Sequence, residues 1–201
     1  MAIINGTGGN DTLTGTSGAD VIYSKGGNDV VDGAGGNDEI GGGSGNDALD
    51  GGGGNDTIYG GGGADTVEGG AGNDIVFGGA GDDEFVGGSG ADTIVGGSGD
   101  DELAGGSGAD VFQFFDGYGD DTITDYDLSE DTIQLGGSIS SFTISPGLVL
   151  NGLDNIPGTI DDIGIDFVID AGGSSITIPG AYDAIAFNFF ASQISDSIDI
   201  I

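Results

Sequence analysis

A large apolar residue returns at every ninth position, as Leu13, Ile22, Val31, Ile40, Leu49, Ile58, Val67, Val76, Phe85, Ile94, Leu103 and Phe112. Each stands at the centre of a three-residue stretch, too short for a helix but suited to a strand with one side chain turned inward. The six positions between these stretches read roughly G-G-x-G-x-D. Twelve consecutive nine-residue units of the form G-G-x-G-x-D-x-U-x, where U is the apolar residue, run without a gap from Gly6 to Gln113.

A short period sustained over so many copies implies a solenoid whose units touch only their neighbours. Two units make one coil of loop, strand, loop, strand, and stacked coils place equivalent strands about 4.8 Å apart. Residues eighteen apart, such as Asp47 and Asp65, then become neighbours. Twelve units predict six coils, so the fold class is all-β.

Two polar positions are invariant. The fourth is always glycine, from Gly9 through Gly54 to Gly108, and the sixth is always aspartate: Asp11, Asp20, Asp29, Asp38, Asp47, Asp56, Asp65, Asp74, Asp83, Asp92, Asp101 and Asp110. The whole chain of 201 residues holds 48 Gly and 35 acidic residues against one basic residue, Lys25, and has no His, Cys or Trp. A net charge of -34 argues against nucleic acid and anionic membranes as partners and calls for cations. Met1 to Asn5 lacks the basic and apolar regions of a Sec signal peptide, and no apolar run is long enough to be a transmembrane segment.

Winding brings the aspartates face to face. Carboxylates about 4.8 Å apart repel by roughly 3 to 4 kcal/mol per pair at an effective dielectric near 20. A hard divalent cation between stacked loops reverses that sign, with two carboxylates and several loop carbonyls supplying the six or more oxygens that calcium prefers. Carbonyls of Gly42, Gly43, Gly45, Gly51, Gly54, Gly60, Gly63, Gly69, Gly72, Gly78, Gly81, Gly87, Gly90, Gly96 and Gly99 are candidate co-ligands. Magnesium demands a smaller octahedron and keeps its waters, while zinc, copper or iron want imidazole or thiolate, which the chain lacks. The expected cofactor is therefore Ca2+, in multiple copies.

The nonapeptide, near ideal in Gly42-Gly43-Ser44-Gly45-Asn46-Asp47-Ala48-Leu49 and Gly87-Gly88-Ser89-Gly90-Ala91-Asp92-Thr93-Ile94, resembles the RTX (haemolysin-type) calcium-binding repeat. The resemblance implies a right-handed parallel β-roll, an extracellular location, and secretion through a type I apparatus that reads an uncleaved C-terminal signal. Within that geometry five gaps on each side of six stacked loops are expected to hold about ten calcium ions. Some units depart from the pattern. Ser24-Lys25 replaces Gly-Gly in the third unit, beside Asp29, and Thr7 and Thr16 replace glycine in the first two, as suits an end coil with one neighbour.

After Gln113 the period slips by two residues and resumes at Asp116-Gly117-Tyr118-Gly119-Asp120-Asp121, which makes Asp121 a further candidate ligand, with a fainter echo at Asp131-Thr132-Ile133. The roll is expected to span residues 1–135, strict over 6–113 and degenerate over 114–135, with a C-terminal β cap over 136–201. Cap strands are expected at Phe142-Thr143-Ile144, Leu148-Val149-Leu150, Ile165 to Ile169 and Ser175 to Ile178, with a loop over Asn151 to Asp162. The final Asp196-Ser197-Ile198-Asp199-Ile200-Ile201 resembles the tail of type I export substrates. Phe112, Phe114, Phe115, Tyr118 and Tyr126, with Phe187, Phe189 and Phe190, read first as a plug for the open end of the core.

The chain is expected to be a non-enzymatic, secreted calcium-binding protein, standing alone because Met1 leads almost directly into the first repeat. Two other readings stay open here. One is an adhesin or matrix module that binds a cell-surface polysaccharide or self-associates through calcium; the other is the C-terminal secretion module of an enzyme or toxin.

Overall fold

The computed structural model describes residues 1–115, 117–127, 129–136, 143–149, 164–170 and 175–178. The expected strands at Phe142 and Leu150 extend into residues outside that set, and the loop Asn151 to Asp162, the cluster Phe187 to Phe190 and the tail Asp196 to Ile201 lie outside it altogether.

The nonapeptide period becomes a run of short strands: β1 (Ile3–Asn5), β2 (Thr12–Thr14), β3 (Val21–Tyr23), β4 (Val30–Asp32), β5 (Glu39–Ser44), β6 (Ala48–Asp50), β7 (Thr57–Gly62), β8 (Thr66–Ala71), β9 (Ile75–Ala80), β10 (Glu84–Ser89), β11 (Thr93–Ser98), β12 (Glu102–Ser107), β13 (Val111–Phe114), β14 (Asp120–Ile123) and β15 (Thr132–Leu135). Odd-numbered strands stack in parallel as one sheet and even-numbered strands as the other. This is a parallel β-solenoid of about seven turns. Partners in the regular part are eighteen residues apart, as Ile40 with Ile58 and Ile58 with Val76, or Leu49 with Val67 and Val67 with Phe85.

Single apolar knobs from the two sheets meet between them. Ile22, Val31, Ile40, Leu49, Ile58, Val67, Val76, Phe85, Ile94, Leu103 and Phe112 form one continuous buried core, with Leu13 packed against its N-terminal end. Phe114, Tyr118, Ile123, Ile133 and Ile176 extend it past the strict repeats. Phe112, Phe114 and Tyr118 are buried in that core, Tyr126 tilts onto Phe112 at 6.1 Å, and Phe115 lies outside, 51% exposed.

The stack is longer at both ends than the twelve strict units. Ala2 and β1 continue the register backwards, with Ile3 opposite Val21 and the Ala2 N–H donating to Asp20 at 2.5 Å. Forwards, β14 and β15 add to β12 and β13 although the spacing there has changed. Three further strands follow: β16 (Thr143–Val149), β17 (Gly164–Asp170) and β18 (Ser175–Ile178). They pair antiparallel with one another, and β18 lies parallel to β14, closing the second sheet as a β-rich cap. The two apolar stretches on either side of Pro146 make one strand, not two.

The outward faces differ in charge. Among the parallel strands β1 to β15, Glu39 is the one exposed acid of the odd sheet, whereas the even sheet exposes Asp32, Asp50, Glu68, Glu84, Glu102 and Asp120. Tyr59 and Phe77 stack on the odd sheet with ring centroids 5.1 Å apart, close to the strand spacing.

Candidate metal centre

The loops form two columns, one along each edge of the solenoid, and an aspartate ladder runs up each. In one the N–H of Asp11 donates to Oδ1 of Asp29, and so on through Asp47, Asp65, Asp83, Asp101 and Asp121, with N···O distances from 2.7 to 3.0 Å. In the other the same bond links Asp20, Asp38, Asp56, Asp74, Asp92, Asp110 and Asp131, again from 2.7 to 3.0 Å. All the candidate aspartates are therefore brought into the two ladders. Asp131 joins them although the nonapeptide count ends before it, because inserted residues hide its register while its backbone pairing keeps it.

Each ladder bond uses one carboxylate oxygen and, except at Asp131, whose Oδ2 accepts the Asp127 N–H at 2.8 Å, leaves the other. The Oδ2 atoms of Asp29, Asp38, Asp47, Asp56, Asp65, Asp74, Asp83, Asp92, Asp101, Asp110 and Asp121 are buried without a hydrogen-bond partner. A buried acceptor left unsatisfied costs roughly 1 to 3 kcal/mol, and more when it is ionised. Eleven in register are a demand for a ligand. Burial raises the carboxyls of Asp56, Asp65, Asp92 and Asp101 to about 6, that of Asp83 to about 7 and that of Asp121 to about 8. Asp38, Asp47, Asp74, Asp110 and Asp131 are raised from the same cause. In each the neighbouring ladder N–H opposes burial without cancelling it.

Glycine builds the rest of the cradle. Positions two and four adopt left-handed backbone, as in Gly43 (φ 103°) and Gly45 (φ 117°), a region where Cβ-bearing residues are strained. The carbonyls of these two positions point at the coil above: a Cβ on Gly61 would meet Gly43 O, and one on Gly63 would meet Gly45 O. Position one supplies a carbonyl from the coil above. A Cβ on Gly60 would lie 2.6 Å from Asp65 Oδ2 and 2.7 Å from Gly78 O, so only glycine leaves room between these oxygens. The same pairing recurs at Gly51, 2.7 Å from Asp56 Oδ2 and 2.6 Å from Gly69 O, and at Gly87, 2.7 Å from Asp92 Oδ2 and 2.6 Å from Gly105 O.

Among the described residues no three acidic side chains converge on one point. The aspartates lie one above another, so a metal ligand set here must be completed by loop carbonyls. Oxygen-only donors, several of them neutral carbonyls, fit calcium and give thiolate- or imidazole-seeking metals nothing to hold.

Residues 5–40, 41–76 and 77–112 each match the family model of the RTX calcium-binding nonapeptide repeat, in four copies. The chain belongs to the RTX calcium-binding repeat family. RTX repeats bind Ca2+, and proteins that carry them are typically secreted. No match was found among curated protein sequences. Two solved structures are similar: the extracellular lipase LipA from Serratia marcescens, at 19% identity and TM-score 0.33, covering 88% of this chain and 37% of the lipase; and the AlgE6R3 subunit of the Azotobacter vinelandii mannuronan C5-epimerase, at 20% identity and TM-score 0.28, covering 97% and 94%. The chain thus spans little more than a third of the lipase.

An amide ladder outside the candidate ligands stiffens the RTX loops. The side-chain Oδ1 of Asn10, Asn28, Asn37, Asn46, Asn55 and Asn73, at position five, accepts the backbone N–H eighteen residues on. Asp82 does the same farther along, and Asp100 accepts the N–H of Asp120, twenty residues on. Asn recurring one residue before the aspartate in half of the twelve units was the available signal.

Proposed function

We propose that this chain is an extracellular calcium-binding module, exported by a type I apparatus as a flexible chain and folded by calcium on arrival outside. About ten calcium ions are held between stacked GGxGxD loops. The observation that carries the reading is the double file of eleven buried Asp Oδ2 atoms without partners, those from Asp38 to Asp92 lying beside a position-one loop carbonyl of the next coil.

The residues divide the work. The Asp ladder fixes each carboxylate through Oδ1 and aims Oδ2 into the gap; the carbonyls of positions one, two and four surround it. Bound calcium supplies the positive charge that makes adjacent carboxylates attractive neighbours. The gaps exist only in the wound chain, so binding free energy is folding free energy. An affinity of about 10⁻⁴ to 10⁻³ M, the range of extracellular modules, makes external calcium the trigger.

Circular dichroism of the full chain at neutral pH tests this. In chelator the spectrum is expected to be that of an unfolded chain, and millimolar calcium is expected to restore the β signal. Equal β content in both would overturn the reading.

A further inference from the structure

The regular metal-cradling turn stops short of the N-terminal end of the roll. Loops 6–11 and 15–20 contain no residue in the left-handed region, whereas the later strict loops place positions two and four there. Their aspartates are also satisfied differently. Oδ2 of Asp11 accepts the Thr7 N–H at 2.5 Å and the Thr7 hydroxyl at 3.0 Å; Oδ2 of Asp20 accepts the Thr16 N–H at 2.6 Å and the Thr16 hydroxyl at 2.7 Å. Neither oxygen is left seeking a ligand, in contrast to Asp29 Oδ2 and Asp38 Oδ2 one coil later.

The chain's sole cationic side chain lies at the same end. Lys25, at position two of the third loop with φ 83°, donates from Nζ to Gly6 O at 2.6 Å. Gly6 stands at position one of the first loop, and in later coils the position-one carbonyl faces the preceding coil, beside that coil's Asp Oδ2. The Gly6 carbonyl is instead taken up by the Lys25 ammonium. Beside it, the buried Ser24 hydroxyl fills its own glycine position and donates to Gly42 O at 2.6 Å.

We propose that the first coil is a metal-free cap in which Thr7, Thr16 and Lys25 provide the donors and positive charge that calcium provides elsewhere. The calcium columns then begin at Asp29 and Asp38 and run through five gaps each, to Asp121 and Asp131, and Asp11 and Asp20 are structural. A solenoid needs terminal units unlike its interior, since an end coil has a single neighbour. Here the cap is made from the repeat itself by exchanging glycine for side chains that carry their own hydrogen atoms.

This rests on the calcium reading of the later loops and is separable from it. Native mass spectrometry of the full chain in millimolar calcium would count bound ions in the unaltered protein, in Asp11→Asn/Asp20→Asn, and in Asp56→Asn/Asp65→Asn. Asparagine keeps the ladder acceptor, so the fold is retained. The first double variant is expected to bind the same number of ions as the parent and the second at least two fewer. A loss of one or more ions from Asp11→Asn/Asp20→Asn overturns the cap, while a parent that binds none overturns the calcium reading itself. Hydrogen exchange of Lys25→Gln in calcium supplies the second readout. Amides of residues 7–11 are expected to exchange several-fold faster with the ion count unchanged, and unaltered exchange there contradicts the role given to Lys25.

Discussion

At position three of the central loops the Cα faces open space: a Cβ on Gly53 or Gly62 would meet nothing within 4 Å. That is why Ser44, Ala71, Ala80, Ser89, Ser98 and Ser107 stand there freely, while position one of the central loops stays glycine. Gly60→Ala forces a Cβ against Asp65 Oδ2 and Gly78 O. It is expected to cost about 1 to 3 kcal/mol and to raise the calcium concentration at the folding midpoint. Gly62→Ala is expected to shift it by less than about 0.5 kcal/mol, and paired calcium titrations read by circular dichroism check both. Ala34 is the opposite case, like Lys25 a Cβ-bearing residue in the left-handed region, at φ 72°, where the later loops have glycine. Left-handed backbone costs such a residue about 1 to 2 kcal/mol, partly offset by glycine's greater freedom when unfolded. Ala34→Gly is therefore expected to lower the calcium midpoint, and a rise would contradict the turn geometry. The aspartates and glycines of the site were legible because each position repeats its chemistry. Lys25 reads in sequence as an intrusion beside Asp29, and its partner, Gly6, emerges only when two coils are superposed.

Most strands of the strict repeats contribute one buried knob, so the elements gain little from local propensity and depend on the stack above and below. Ile58 is fully buried between Ile40 and Val76 on neighbouring strands. Ile58→Ala leaves a cavity worth about 2 to 4 kcal/mol. Because solenoid units touch only their neighbours, faster hydrogen exchange is expected in β5, β7 and β9 and not in β13. Uniform acceleration along the roll would show instead that the coils melt as one. The strands of the strict repeats follow directly from the nine-residue period. Those at the ends do not: β1 precedes the first Gly and Asp markers, and Asp121 and Asp131 sit twenty and twenty-one residues from their ladder partners instead of eighteen. The spacing lengthens between the strands while the backbone pairing of β14 and β15 persists, which a search for fixed spacing overlooks.

For the whole molecule the two ladders place a file of carboxylates in a poorly hydrated interior, and pH acts on fold and metal in opposite directions. Without calcium the folded chain raises Asp56, Asp65, Asp92 and Asp101 from 3.8 to about 6, Asp83 to about 7 and Asp121 to about 8. Groups whose folded value is raised stabilise the fold fully below the unfolded value and lose that contribution as pH climbs through the folded one. In chelator, β content is thus expected to grow as pH falls from 8 towards 4, with protons standing in for the metal. Calcium affinity is expected to fall over the same window, since its ligands must be deprotonated. Circular dichroism across pH, with and without chelator, reads both, and β content that falls on acidification in chelator would contradict the burial of these carboxylates.

The central claim is that calcium fills the gaps between aspartates stacked by winding. The most direct measurement is the number of ions bound per chain at saturation, by native mass spectrometry, with β content followed in the same titration. About ten ions, taken up together with the gain of β structure, is the predicted result. Saturation at one or two ions, or a complete β signal before any ion is bound, would contradict it.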